Sequence, residues 1–132
     1  MKVAVATQDL ARVDAHFGWA RHLLIYEVSA EGVVWLELKE FSDSRQDGDP
    51  GKLSPRLAAL QGVCLIFVAD IGPEGEHALS QLGVTPVLQW KDRYIGQALE
   101  SLRECLRTQP PPWLRRAEQT YRRAEKDLSC CL

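Results

Sequence analysis

Short apolar runs, separated by polar and glycine-rich stretches, divide the chain into five candidate strands. The run 63–69 is continuously apolar, which is typical of a strand buried on both faces. The run 2–7 is short and rich in β-branched residues, and further strands are predicted at 23–28, 33–41 and 84–88. Turn residues at 29–32 pair two of these strands as an antiparallel hairpin. Pro86 places the last strand at a sheet edge, because proline cannot donate to a ladder.

Alternation along 33–41 predicts a half-solvated strand, with one set of side chains on each face. The two sets are Val34, Leu36 and Leu38 against Trp35, Glu37 and Lys39.

Apolar residues at three- and four-residue spacing predict three helices after the hairpin. Their inward residues are Leu53, Leu57 and Leu60 in the first, Ala78, Leu79 and Leu82 in the second, and Ile95, Ala98, Leu99, Leu102, Cys105 and Leu106 in the third. The order is therefore β-β-β-α-β-α-β-α. It indicates an α/β fold in which flanking helices cover a single mixed sheet, a ribonuclease-H-like motif with strands one and four parallel in the middle.

The chain divides into an α/β domain at residues 1–109 and a tail at 110–132. Three prolines, Pro110 to Pro112, form a spacer, and an apolar stripe in the tail predicts an amphipathic helix (Trp113, Ala117, Tyr121, Ala124 and Leu128). Residues 1–106 carry 10 Lys and Arg against 15 Asp and Glu, whereas 107–132 carry 6 against 3. The segment 42–52 has no large apolar residue and is predicted to be a solvated, mobile loop.

Composition excludes several classes of protein. No apolar run approaches the roughly 18 residues of a membrane span, and the beginning MKVAVATQD lacks the apolar stretch of a signal peptide, so we expect a cytoplasmic protein without membrane contact. The acidic body lacks the basic groove that nucleic acid requires. The four cysteines show no C-x-x-C spacing, and Cys64 and Cys105 are interpreted as small buried hydrophobes.

Ligands of open α/β sheets gather at the carboxyl ends of parallel strands, which here continue into the segments 8–18 and 70–73. His16 lies in the first segment beside a glycine and two aromatic residues. An imidazole suits iron, zinc or copper and also acid–base chemistry. A structural or merely exposed histidine stays open as the alternative, and it is the interpretation given to His22 and His77.

Gly72 and Pro73 form a helix start whose N–H groups could bind an anion, although Glu74 and Glu76 already complement the helix dipole. An ordinary capped helix therefore stays open. Three carboxylates could meet at the same rim and hold metal ions for nuclease chemistry (Asp9, Asp14 and Asp70), an alternative that the acidic body disfavours.

Several segments together resemble a known family: MKVAVAT, VDAHFGWARHLLIYEV, GKLSPRLAALQGVCLIFVADIGPEGEHALSQLGVTPV and PPPWLRR. They resemble the nitrogenase iron–molybdenum cofactor biosynthesis family, in particular its NifX-type accessory and carrier proteins. The likeness covers about residues 1–116, and Cys130 and Cys131 lie outside it.

The resemblance implies a carrier rather than an enzyme. Its cargo would be an iron–sulfur precursor cluster of the iron–molybdenum cofactor, and its partners would be the assembly scaffold and precursor-synthesis proteins. The histidine of the family's HFG motif corresponds to His16, the candidate metal ligand. The other candidate cofactor-binding residues are Asp9, Arg12, Phe17, Gly18, Asp70 and Gly72.

A few ligands on a mobile loop would suit a releasable cargo, and an anionic cargo could be complemented by Arg12, Arg21 or the helix start at Gly72. The alternative is a protein-interaction module that docks through the stripe from Trp113 to Leu128 and binds no cluster itself.

Overall fold

A computed structural model describes residues 1–41 and 53–108, and in it five strands form one mixed sheet. The strands are β1 (Lys2–Thr7), β2 (His22–Ser29), β3 (Gly32–Glu40), β4 (Leu65–Phe67) and β5 (Thr85–Val87). Their spatial order is β3-β2-β1-β4-β5. The β1–β2 and β2–β3 pairs are antiparallel, and the β1–β4 and β4–β5 pairs are parallel. The predicted α/β fold is confirmed, with β1 in the middle beside β4 and Pro86 on an edge strand.

Helices α1 (Leu53–Ala59), α2 (Pro73–Leu82) and α3 (Ile95–Arg107) flank this sheet. One core cluster joins Val3, Val5 and Leu24 to α3, and a second joins Ala4, Ala6 and Ile25 to the α1 and α2 side. Alternate residues of β1 thus supply both cores, because successive side chains of a strand point to opposite faces. The sheet is buried on both faces at its centre, and the carboxyl ends of β1 and β4 emerge at one rim.

Two packing predictions were wrong in detail. A register shift between Ile25 and Tyr26 places Trp35 opposite Tyr26 and Glu37 opposite Ile25, so Leu36 is an extra residue of a β-bulge. The simple alternation of β3 is therefore interrupted, and Trp35 lies on the α3 face of the sheet. Leu82, predicted to point inward, is 48% exposed because it is the last residue of α2, beyond the sheet-facing turn that contains buried Leu79.

The predicted loop at 42–52 and the tail at 110–132 lie outside the described residues. No helix within the described ranges combines the length and apolarity that crossing a membrane requires.

Candidate functional site at the carboxyl ends of the parallel strands

Residues 11–17 cross the rim as a strap that is hydrogen-bonded on both sides. On the α3 side, Ile95 N donates to Ala11 O at 2.9 Å and Val13 N donates to Arg93 O at 2.9 Å. On the α2 side, Ala69 N donates to Ala15 O at 3.0 Å, and Phe17 N donates to Asp70 O at 2.9 Å. Backbone hydrogen bonds to two neighbouring elements therefore hold this segment against the sheet.

His16 stands at the α2 end of the strap and is half-buried. It caps the short 3-10 helix Phe17–Trp19, since its Nδ1 accepts a hydrogen bond from Gly18 N at 3.0 Å. In the neutral ring the proton therefore sits on Nε2, because Nδ1 is the acceptor. The side chain thus has a structural role as well as an open ring edge.

The Nε2 edge of His16 faces Gly72, the N-cap of α2. A Cβ atom built on Gly72 would lie 4.0 Å from Nε2, in van der Waals contact with the ring. Gly72 has φ −80° and ψ 166°, which any residue can adopt, and no side chain caps this helix. The backbone conformation does not require glycine at position 72, and the absence of a side chain there leaves the Nε2 edge uncovered on this side.

Phe17 anchors the strap in the core. It is fully buried, and a Cβ atom on Gly75 of α2 would meet its Cδ2 at 3.3 Å and Ile71 Cγ1 at 3.1 Å. A Cβ atom at position 75 would require Ile71 and Phe17 to shift by a few tenths of an ångström, because the helix and the ring approach so closely. Gly75 escaped the sequence prediction, although an isolated glycine inside a helical pattern is a known sign of close packing.

Arg56 of α1 was also missed, and it secures the far end of the same segment. Its side chain is buried and donates from Nε and Nη2 to Ala20 O at 3.1 and 2.7 Å. Its guanidinium carbon lies 4.8 Å from the centre of the Phe41 ring. Burial lowers the pKa of Arg56 from its ordinary value. Nothing in the sequence distinguishes this arginine from a solvent-facing helical one.

The structure divides the predicted site residues into two groups. His16, Phe17, Gly18, Asp70 and Gly72 meet at the α2 end, where His16 and Asp70 form a parallel bridge. Asp70 is exposed, and its Oδ1 accepts from Ile71 N at 2.8 Å.

Asp9 and Arg12 lie at the other end of the strap. Arg12 Nε is 3.8 Å from Asp9 Oδ2, and Arg12 forms an antiparallel bridge with Tyr94. Asp9 Oδ1 accepts from the backbone N–H groups of Ala11 and Arg12, both at 2.8 Å. These two hydrogen bonds are the main reason that the pKa of Asp9 is lowered. In this conformation the carboxylate holds its own loop together.

In the described part of the chain, the three carboxylates of the nuclease alternative do not form one cluster. Asp14 Oδ1 accepts from Gln8 N at 2.7 Å, and the Thr7 hydroxyl lies 3.2 Å from it and 3.3 Å from Asp9 Oδ1. The Asp70 carboxylate lies on the α2 side of the strap, where it accepts from Ile71 N. Within residues 1–41 and 53–108, no three His, Cys, Asp or Glu side chains could share a metal ion. Cys64 is buried, as predicted.

The chain matches the family model described as dinitrogenase iron-molybdenum cofactor over residues 1–104. The chain belongs to this family. Among relatives of the iron–molybdenum cofactor family, Protein NifX of Herbaspirillum seropedicae is 39% identical over 120 residues, which cover 90% of this chain and 82% of that protein. The resemblance predicted from the sequence is confirmed.

Two further comparisons concern a longer relative and a solved structure. The FeMo cofactor biosynthesis protein NifB of Rhodobacter capsulatus is 33% identical over 102 residues, 76% of this chain but only 23% of that protein. An NMR structure of a Thermotoga protein of the DUF35 family has a TM-score of 0.57 and 21% identity, covering 80% of this chain and 89% of that one. The solved structure supports the fold alone.

Proposed function

We propose that this protein takes part in iron–molybdenum cofactor biosynthesis as a non-enzymatic carrier. Its cargo is an iron–sulfur precursor cluster, which it receives from and passes to cofactor assembly proteins. Family membership supports the general role. The observation that carries the specific proposal is the half-buried His16 ring, whose Nε2 edge faces the space that Gly72 leaves open.

In this proposal, His16 ligates iron of the cargo through Nε2, since imidazole is a suitable ligand for iron. A neutral ring that ligates through Nε2 carries its proton on Nδ1, so the hydrogen bond from Gly18 N must be released. A typical hydrogen bond contributes about 1 kcal/mol net, which corresponds to roughly fivefold in a dissociation constant. Competition between the cap and the cargo therefore favours release to the next protein.

The other residues at this end of the strap have supporting roles. The Asp70 carboxylate and His16 Nε2 are the two side-chain ligands in this proposal, since His16 and Asp70 are neighbours at the rim. A cargo held by so few ligands can be passed on to another protein. The N-terminus of α2, capped by Gly72, adds positive dipole potential next to an anionic cluster. Phe17 anchors the strap in the core, and Gly18 N–H holds the ring through the cap until the cargo binds.

The first test replaces the imidazole while keeping the cap. His16→Asn retains a good N-cap side chain, so we expect an unchanged melting temperature. We expect the dissociation constant for the precursor cluster, measured by anaerobic absorbance titration of the full chain, to rise at least tenfold. His77→Ala is the control, because His77 is an exposed histidine on α2 that contacts Gln81. Cluster binding by His16→Asn equal to wild type would show that His16 is only a cap.

The second test closes the space in front of the ring. Gly72→Ser places a side chain next to His16 Nε2 and supplies the missing cap hydroxyl of α2. We expect the free energy of unfolding to rise by a few tenths of a kcal/mol, whereas affinity for the cluster falls severalfold. Improved stability with full cluster affinity would place the cargo elsewhere.

A further inference from the structure

A second surface lies at the α3 end of the strap, where two loops are bonded to each other. Residues 8–13 and 88–94 are joined by Val13 N to Arg93 O at 2.9 Å and by Asp92 N to Val13 O at 2.8 Å. Each loop contains one non-glycine residue with a left-handed backbone, Leu10 at φ 63° and Asp92 at φ 62°. Among the described residues these are the two such cases, and both lie at this surface.

The strain at Leu10 is not offset by burial of its side chain, which is 48% exposed. A left-handed backbone is strained for a residue that carries a Cβ atom. The loop holds this conformation through Leu10 N, which donates to Thr7 Oγ1 at 3.0 Å, and through the Asp9 carboxylate. A strained residue held outward by its surroundings points to a function at that place.

Two arginines of these loops lie over aromatic rings. The Arg12 guanidinium carbon lies 5.7 Å from the centre of the Tyr94 ring, and that of Arg93 lies 6.0 Å from the Trp90 ring. Tyr94 is 57% exposed. Arginine, tyrosine and tryptophan dominate the residues that contribute most to binding at protein interfaces. A guanidinium held against a ring can still bond a carboxylate through its N–H groups.

The charge of this surface is opposite to that of the domain around it. Arg12, Lys91 and Arg93 outnumber Asp9 and Asp92, whereas residues 1–106 carry an excess of acidic residues. The Asp9 carboxylate accepts from backbone N–H groups of its own loop and lies 3.8 Å from Arg12 Nε, so Lys91 and Arg93 supply the excess positive charge. A local positive surface on an acidic domain selects an acidic binding partner and disfavours contact elsewhere.

We propose that Leu10, Arg12, Trp90, Arg93 and Tyr94 form a docking surface for an acidic segment of a partner protein. Carboxylates of the segment bind Arg12 and Arg93, and an apolar residue contacts Leu10 and Tyr94. The surface lies at the opposite end of the strap from His16, so a docked partner leaves the imidazole open. This inference stands independently of whether His16 binds a cluster.

The test uses fluorescein-labelled peptides and the full chain without cargo. One peptide has glutamates around a central leucine, and its counterpart has glutamine at every glutamate. By fluorescence anisotropy we expect the acidic peptide to bind at least tenfold more tightly than its neutral counterpart. Arg93→Gln should weaken binding at least fivefold, whereas Arg107→Gln, the same change at the exposed far end of α3, should not. His16→Asn should bind the peptide as wild type does.

Leu10→Gly keeps the proposal testable if the arginine variants lose stability. Glycine accepts the left-handed backbone without strain, so this variant should melt no lower than wild type yet bind the acidic peptide severalfold more weakly. Equal binding of both peptides, an equal effect of Arg93→Gln and Arg107→Gln, or tighter binding of a DNA oligonucleotide would overturn the proposal. Since no cluster is present, these outcomes are distinct from failure of the carrier function.

Discussion

Individual side chains at the rim hold the backbone in place, and one of them, His16, also faces the proposed cargo. His16 caps the 3-10 helix and also presents Nε2 toward Gly72. Asp9 binds two backbone N–H groups, and buried Arg56 binds the carbonyl oxygen of Ala20. Because Ala20 is fully buried, removal of this guanidinium would leave its carbonyl without these two hydrogen bonds, a loss of about 1–3 kcal/mol. The site is thus preformed by its own structural contacts.

The Asp9 carboxylate gives a pH dependence that can be measured directly. Hydrogen bonds from Ala11 N and Arg12 N lower its pKa below the ordinary value of 3.8. A lowered folded-state pKa stabilises the loop above pH 3.8, and this contribution is lost as pH falls through the folded value. We expect the carboxyl ¹³C resonance of Asp9 to titrate with a midpoint below 3.8. A midpoint at or above 3.8 would show that these hydrogen bonds do not form in solution.

The sequence indicated the chemistry of the rim but not its hydrogen bonds. His16 could be selected because its position after a strand and beside glycine follows a general rule for α/β sheets. The separation of Asp9 and Arg12 from Asp70 could not be predicted. It depends on which neighbouring element each end of the strap is hydrogen-bonded to. The role of Arg56 depends on a contact 36 residues away in the chain, which no local pattern encodes.

Helix α2 connects the core to the site through two glycines. Gly72 leaves space for the ring of His16, and Gly75 lets α2 approach Phe17. Both the helix start at Gly72–Pro73 and the parallel pair β1–β4 were predictable, since capping and a continuously apolar strand are local signals. The β-bulge in β3 was not predictable, because a register shift depends on the partner strand.

Gly75→Ala should destabilise the protein although alanine favours helix. The added Cβ would press on Ile71 and Phe17, and overpacking of this kind costs about 1–3 kcal/mol against a helix-propensity gain of about 1 kcal/mol. We expect a net loss in the free energy of unfolding, measured by urea denaturation. Gly96→Ala is the matched control, because Gly96 lies in α3 with nothing within 4 Å of its Cβ position, and it should stabilise. A more stable Gly75→Ala protein would contradict the close packing of α2 on Phe17.

At the scale of the whole molecule, one edge of the sheet carries the two proposed surfaces, which differ in chemistry. The strap is bonded to β4 and α2 at one end and to α3 at the other, so the His16 site and the Arg12–Arg93 surface are held in a fixed relation. A carrier needs both a place for cargo and a place for the protein that gives or receives it. In the proposed account, these two places are the His16 site and the Arg12–Arg93 surface, on the side where the parallel strands end.

The central claim is that His16 itself contacts the cargo. Pulsed electron paramagnetic resonance of the full chain, loaded anaerobically with the precursor cluster in a paramagnetic state, tests it most directly. We predict a nitrogen hyperfine coupling from imidazole that disappears in His16→Asn and persists in His77→Ala. A loaded protein with no imidazole coupling, or with the same coupling in His16→Asn, would contradict the claim.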